Sequence, residues 1–330
     1  MRPVGVVALA ATVALGLGIA VPTGVAAATA PSVYVTNTNG DTVTVLSKSL
    51  NEITSISGFN DPVAVAFTPN GKTAYVADNG GDSGTTIGVI DTRTRTTLPD
   101  ITLPTGAGPV ALAVTPDGQT LYVALIDGYV SVISTATNTV TTTIPVATFG
   151  NLGGIVISPD GSTVYASLSS GSAVYVISTA SNTVVGSPIT VGGSPEGMAI
   201  TRDGLTLYVG NYHSGSVSVV DTATASVTNT IDVGTGSNPA DVAVTKNQKY
   251  VFVTNVPDFA HVTVIKTSND HLKEIPGFDS PIGVATDGND AYVANDSGTD
   301  QVFKVSPTRI VTTLHHGLSD EFPAGIAVQP

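Results

Sequence analysis

The chain has 330 residues with 12 Lys and Arg against 25 Asp and Glu, a net charge of −13, and no cysteine. An acid surplus of this size, with no basic run, argues against a non-specific nucleic-acid binder, whose affinity comes from cationic side chains meeting phosphates. The lack of thiols excludes disulfides, cysteine zinc sites and thiolate nucleophiles. At 42% hydrophobic and only 11% charged residues, the chain has ample material for a core, and its polar surface must be built mostly from Thr, Ser, Asn and Gly.

In chain order, Met1-Arg2-Pro3 supplies one positive charge, Val4 to Val21 is a weakly hydrophobic run, and Ala26-Ala27-Ala28 offers small residues ahead of Thr29-Ala30-Pro31. This pattern predicts a secretory signal peptide over residues 1–28, cut near Ala28. The mature chain, residues 29–330, is then expected to be soluble outside the cytoplasm, with no membrane span left after cleavage. An uncleaved anchor is the alternative, because the run reaches the minimum spanning length.

The stretch from Pro109 to Val146 displays the unit from which the rest is made. Val110 to Val114 reads as a strand, Thr115-Pro116-Asp117-Gly118 as a tight turn, Leu121 to Leu125 as a second strand, and Ile126-Asp127-Gly128 as a second turn. Tyr129 to Ser134 and a segment near Val140 to Val146 complete a four-stranded antiparallel meander. Its second strand recurs at Tyr34, Tyr75, Tyr122, Tyr165, Tyr208, Phe252 and Tyr292, with spacings of 41, 47, 43, 43, 44 and 40. A period of this length carrying four strands belongs to a propeller blade, not to a helical solenoid unit. The expected fold is therefore all-β: a single domain of seven four-stranded antiparallel blades. The first copy starts directly at its second strand, and Pro323 to Val328 stands alone at the C-terminus as the missing first strand. Pairing of the two ends would close the ring and remove the exposed sheet edges.

The spelling Tyr34-Val35-Thr36-Asn37, repeated with variations and joined to strands such as Pro109 to Gly118, resembles the YVTN-repeat β-propellers, a set of mostly secreted or cell-surface proteins. The resemblance runs from about Ser32 to Gln329. WD40 and kelch repeats do not fit, since the chain has no Trp. Local departures are Leu152-Gly153-Gly154, Thr245-Lys246-Asn247-Gln248 and Thr286-Asp287-Gly288, where an expected Pro or Pro-Asp-Gly is replaced.

In such a ring, the loops between second and third strands share a face with the loops leading into the innermost strands. Variation concentrated there suggests a binding surface on a constant scaffold. Asp78 with Asp82, and Asp296 with Asp300, set carboxylates four apart beside Gly and Ser. They could supply oxygen ligands to a divalent cation such as calcium, or serve simply as solvated Asx-rich turns. The five histidines, His213, His261, His271, His315 and His316, show no metal-binding spacing. Two residues after the Pro that opens each innermost strand, six copies carry Gly or Ala and one carries Asp241. Glu196, His213, Asp241 and His261 are expected near one sector of the loop face as a candidate ligand site. The competing expectation is that Asp241 only caps backbone amides of the Asn238-Pro239 turn.

No nucleophile elbow, phosphate loop or dinucleotide fingerprint occurs. These features favour a secreted, monomeric, non-enzymatic scaffold that binds a protein, glycan or small molecule on its loop face, with no nucleic-acid partner and no obligatory cofactor. The resemblance also allows a metal-assisted enzyme of the lactonase or lyase kind, with its site at the channel mouth.

Overall fold

A computed structural model describes residues 31–104, 107–147, 150–234, 236–256, 260–296, 301–315 and 322–330; the expected leader lies outside them. The described residues form seven antiparallel sheets arranged as blades. Blade 1 runs from the inside outward as Pro323–Val328, Ser32–Asn37, Thr42–Ser47 and Glu52–Ser57. Blades 2 to 7 follow in chain order, with innermost strands Pro62–Phe67, Pro109–Val114, Leu152–Ile157, Pro195–Ile200, Asn238–Val244 and Pro281–Asp287. Each innermost strand adjoins those of the two flanking blades, so the ring is continuous.

Closure occurs where the repeat phase places it. Val33, Tyr34 and Val35 pair antiparallel with Val328, Ala327 and Ile326. Gln329 locks the seam: its amide donates to Ser32 O at 2.8 Å, and its Nε2 donates to Gly71 O of blade 2 at 2.7 Å.

Second and third strands are buried on both faces, because each blade is covered by its two neighbours. Ser32–Asn37 is buried throughout, whereas the outer strand Glu52–Ser57 is mostly exposed. This gradient explains the continuous apolar spelling of the inner strands and the Thr-rich spelling of the outer ones. Within the repeated second strand, each residue type has its own task. The Tyr hydroxyl reaches another blade: Tyr75 donates to Asn138 at 3.1 Å, Tyr122 to Asn182 at 2.7 Å, and Tyr292 to Lys48 O at 2.8 Å. The Asn ties the second strand to the third, as Asn37 does to Thr42 and Thr44, and Asn211 to Ser216 and Ser218.

The turns between first and second strands are uniform. In blades 2 to 6 a Thr or Ser hydroxyl donates to the Asp or Asn two residues on, and that same oxygen accepts the amide two residues later. The altered turn at Thr245 keeps this geometry with Asn247 in place of Asp. Blade 4 departs from the expected four intact strands. Its outer strand is split into Thr183–Val184 and Ile189–Thr190, because Gly186 turns left-handed and Pro188 has no amide to pair.

Candidate functional site

Every innermost strand shifts register just after its opening residue, in all seven blades. A bulge of this kind leaves a backbone amide out of the ladder and turns the next side chain. In three blades the hydroxyl at the fifth position of the second strand takes over: the amides of Gly325, Gly154 and Asp241 donate to Thr36, Ser167 and Thr254 at 3.0 Å or less. Ser167 and Thr254 in turn donate to the following blade, at Glu196 O (2.9 Å) and Ile282 O (2.7 Å).

The bulges surround a central cavity of about 260 Å³ to which all seven innermost strands contribute. The small residues there are required by backbone proximity: a Cβ on Gly283 would sit 2.3 Å from Ala324 O, and one on Gly325 2.4 Å from Val63 O. Val63, Val110, Leu112, Ile282 and Ile326 make most of the wall apolar, and among the described residues the charged side chains lining it are Glu196 and Asp241.

Asp241 spans two blades. Its Oδ1 accepts the amide of Val242 at 2.8 Å, and its Oδ2 accepts the amide of Val284, in blade 7, at 2.9 Å. The carboxylate also lies against blade 5, where a Cβ on Gly197 would meet Oδ1 at 2.5 Å. Asp241 keeps part of its surface open to the cavity, yet it sits deep in the ring. Burial pushes its carboxyl up to about 6, against the downward pull of its two amide donors. Glu196 leans the other way, with Oε2 over Gly153 of blade 4. Its carboxylate accepts no hydrogen bond among the described residues, and desolvation pushes it up to about 7.

Of the four residues expected to converge, the structure thus brings Glu196 and Asp241 to one cavity. His213 is exposed on the loop after the second strand of blade 5, its ring edge-on to Tyr212 at 5.4 Å. His261 is buried in the third strand of blade 6, with Nε2 3.0 Å from Thr263 Oγ1. Neither ring lines the cavity, so the expected sector of four is corrected to two carboxylates. The capping expectation for Asp241 is corrected as well, because the amides it accepts belong to Val242 and Val284 and not to the Asn238-Pro239 turn.

The loop aspartates separate similarly. Asp78 is buried, and its two oxygens accept the Asn60 amide and the Thr86 hydroxyl, which is the hairpin task of the repeated Asn. Burial, opposed by these two donors, raises its carboxyl above the ordinary value. Asp82 is exposed with left-handed backbone, its amide donating to Asn79. Asp296 is half-buried and its amide donates to Ser280 O at 2.7 Å; Asp300 lies outside the described residues. Among the described residues, no three His, Asp or Glu side chains are grouped to hold a metal ion. The serving hydroxyls Thr36, Ser167 and Thr254 were not singled out from sequence. Their signal was the alternation of Thr or Ser with Ala or Gly at one repeat position.

Comparison with known proteins supports this architecture. The sequence profile of the family described as Lactonase, 7-bladed beta-propeller matches residues 127–233, which run from blade 3 through blade 5 and include Glu196. No curated protein sequence matches the chain significantly. Among solved structures, hydrazine synthase of Kuenenia stuttgartiensis is similar at 24% identity and a TM-score of 0.73, covering 82% of this chain and 90% of that one. A protein of unknown function from Desulfotomaculum acetoxidans aligns at 17% identity and 0.74, covering 91% and 98%. A candidate 6-phosphogluconolactonase from Bacteroides uniformis aligns at 15% and 0.75, covering 90% and 99%. Identities this low establish a shared β-propeller fold and nothing beyond it, and the profile match is confined to residues 127–233, about a third of the chain.

Proposed function

We propose that the protein is a secreted, non-enzymatic binding propeller of the YVTN-repeat type that presents its loop face to a protein, glycan or small molecule. The observation that carries this reading is the contrast between the two faces of the ring. The turns on one face repeat a single hydrogen-bonded geometry in five blades. The connections on the other range from residues 126–128 in blade 3 to residues 79–85 in blade 2. Constant turns serve the scaffold, and divergent loops on a rigid scaffold serve recognition. Screening glycans and small metabolites by thermal shift tests it: replacing residues 79–85 by the short blade 3 connection should abolish a hit while leaving the melting temperature of the free protein within a few degrees.

A hydrolytic reading is favoured by two observations together, the lactonase profile across blades 3 to 5 and a Glu196 carboxyl raised to about 7. A carboxylate half-ionised near neutrality, with no competing hydrogen bond, suits a general base that takes a proton from water attacking a lactone carbonyl. Among the described residues no Lys, Arg or His lines the cavity, so a neutral lactone fits it better than a phosphorylated one. Titration of acid release from glucono-δ-lactone decides between the readings. Turnover lost in Glu196→Gln establishes the enzyme, and a rate equal to buffer alone retains the binding propeller.

A further inference from the structure

The turn between first and second strands of blade 6 departs from its sisters in charge as well as in spelling. Where blades 2, 3 and 4 have Pro-Asn-Gly or Pro-Asp-Gly at residues 69–71, 116–118 and 159–161, blade 6 has Lys246-Asn247-Gln248, followed by Lys249. The backbone is unchanged, so Gln248 is held at φ 60 where Gly71, Gly118 and Gly161 stand at 66 to 74. A non-glycine residue in that region is strained. Blade 6 thus gives up a proline, an acid and a glycine, and gains two cations at the same geometry.

More cations gather on the same corner. Lys266 ends the third strand and pairs with Tyr250 on one side and His271 on the other, while Lys273 lies two residues further up the outer strand. Lys246, Lys249, Lys266, His271 and Lys273 are all exposed. Residues 246–273 hold four of the chain's 12 Lys and Arg but only two of its 25 acids. Among the described residues none of the four lysines forms an ion pair, whereas Lys48 of blade 1 and Lys304 of blade 7 are paired with Asp287 and Asp290. Nearby acids are directed away: Asp270 accepts from Asn229 of blade 5 at 2.8 Å, and Glu274 reaches toward Gly234. The turn itself is fixed on both sides, with the Lys246 amide donating to Gly288 O of blade 7 and the Thr267 amide to Lys249 O, each at 3.1 Å.

We propose that this corner of blade 6, on the face opposite the variable loops, is a docking surface for an anionic polysaccharide. Neighbouring strands lie about 4.8 Å apart, so cations on the turn, the third strand and the outer strand form a row and not a point. A row of unpaired cations suits a chain carrying carboxylates at intervals. Among the described residues of blade 6 no large hydrophobic side chain is exposed, so an anionic bilayer finds nothing to insert at this corner. The aromatic ring of the corner, Tyr250, is packed against the core and offers no platform for nucleic-acid bases. At 0.1 M salt the screening length is about 10 Å. A chain lying on this corner therefore feels the lysines more than the overall −13 charge.

The test is retention of the full chain on immobilised polygalacturonate, with neutral dextran, anionic phosphatidylglycerol vesicles and sedimentation of the free protein run alongside. Wild type should be retained on polygalacturonate at low salt, released as salt rises, and not retained on dextran. Lys246→Gln/Lys249→Gln/Lys266→Gln should bind at least about tenfold more weakly, because each lost cation removes a counterion-releasing contact. Lys72→Gln, at the equivalent turn of blade 2, should bind as wild type does. The proposal is overturned if wild type is not retained, if the triple variant binds equally, if vesicles bind as well as the polysaccharide, or if low salt produces wild-type oligomers that the triple variant abolishes. That last result would assign the corner to a second copy of this acidic chain.

Discussion

Oδ2 of Asp241 accepts the backbone amide of Val284 at 2.9 Å, a bond that joins the innermost strands of blades 6 and 7 across a bulge. The sister positions carry Gly or Ala and do without such a bond. Asp241 therefore adds an inter-blade tie and a buried charge at once, and the two oppose each other. The bond contributes about 1–2 kcal/mol, while ionisation of a desolvated carboxyl raised from 3.8 to about 6 costs on the order of 3 kcal/mol at neutral pH.

The sign follows from linkage. An Asp whose folded value lies above its unfolded value of 3.8 favours the unfolded chain once it ionises. Its contribution to stability is therefore greatest below about pH 4, declines as pH rises toward 6, and is constant above that. Asp241→Gly should be neutral or stabilising at pH 8 and destabilising at pH 4. Urea midpoints of both proteins across that range check this. A pH-independent difference between them would contradict the burial of the charge.

Glu196 and Gly153 are coupled by contact. A methyl group on Gly153 would sit 2.4 Å from Glu196 Oε2, the mobile end of a side chain that can swing aside, so Gly153→Ala should destabilise by no more than about 1 kcal/mol. Much of that cost should vanish in the Glu196→Ala background, where only backbone atoms at 3.1 Å and beyond remain close. A double-mutant cycle by chemical denaturation reads the coupling directly. Glu196→Gln alone should stabilise the protein above pH 7 and change little below pH 4.5, since the raised carboxyl pays its desolvation only when ionised.

Removing Pro323 to Pro330 deletes the innermost strand of blade 1 and its seam with Val33 to Val35. It also frees Gly71 O and the Ser32 backbone from Gln329. The truncated chain should aggregate or melt far below the full chain, because two sheet edges are left open. Gln329→Ala should retain the ring and lose about 1–2 kcal/mol. Melting by circular dichroism with light scattering separates the two outcomes.

The ring was legible because one signal was repeated: Tyr34, Tyr75, Tyr122 and their successors each report the same strand, and the solitary Pro323 to Val328 could complete only the blade that lacked a first strand. The site was legible in part. Asp241 stood out because its sisters are Gly or Ala, and Glu196 lay beside it in the repeat. The position of His261 follows from strand register, which turns it inward against Thr263 and away from the cavity. The partner of Asp241 lies 43 residues on in the next blade, and sequence spacing alone does not disclose a bond made across a bulge.

Gln248 offers the most direct check on whether blade 6 has yielded stability for charge. Its φ of 60 matches the glycines of the sister turns, and its amide donates to Thr245 O at 2.7 Å just as theirs donate to Thr68, Thr115 and Ser158. Glycine is therefore compatible with the turn and relieves the Cβ strain, worth about 1–2 kcal/mol, at the expense of about 0.5–1 kcal/mol of added freedom in the unfolded chain. Gln248→Gly should leave the protein as stable as wild type or up to about 1.5 kcal/mol more so, whereas Gly118→Gln in the equivalent blade 3 turn should destabilise it. Because Gln248 is uncharged, the first change should leave retention on polygalacturonate as it was. Urea midpoints and salt elution measured on the same two variants check both statements, and a loss of retention in Gln248→Gly would show that the turn's backbone, and not its lysines, makes the contact.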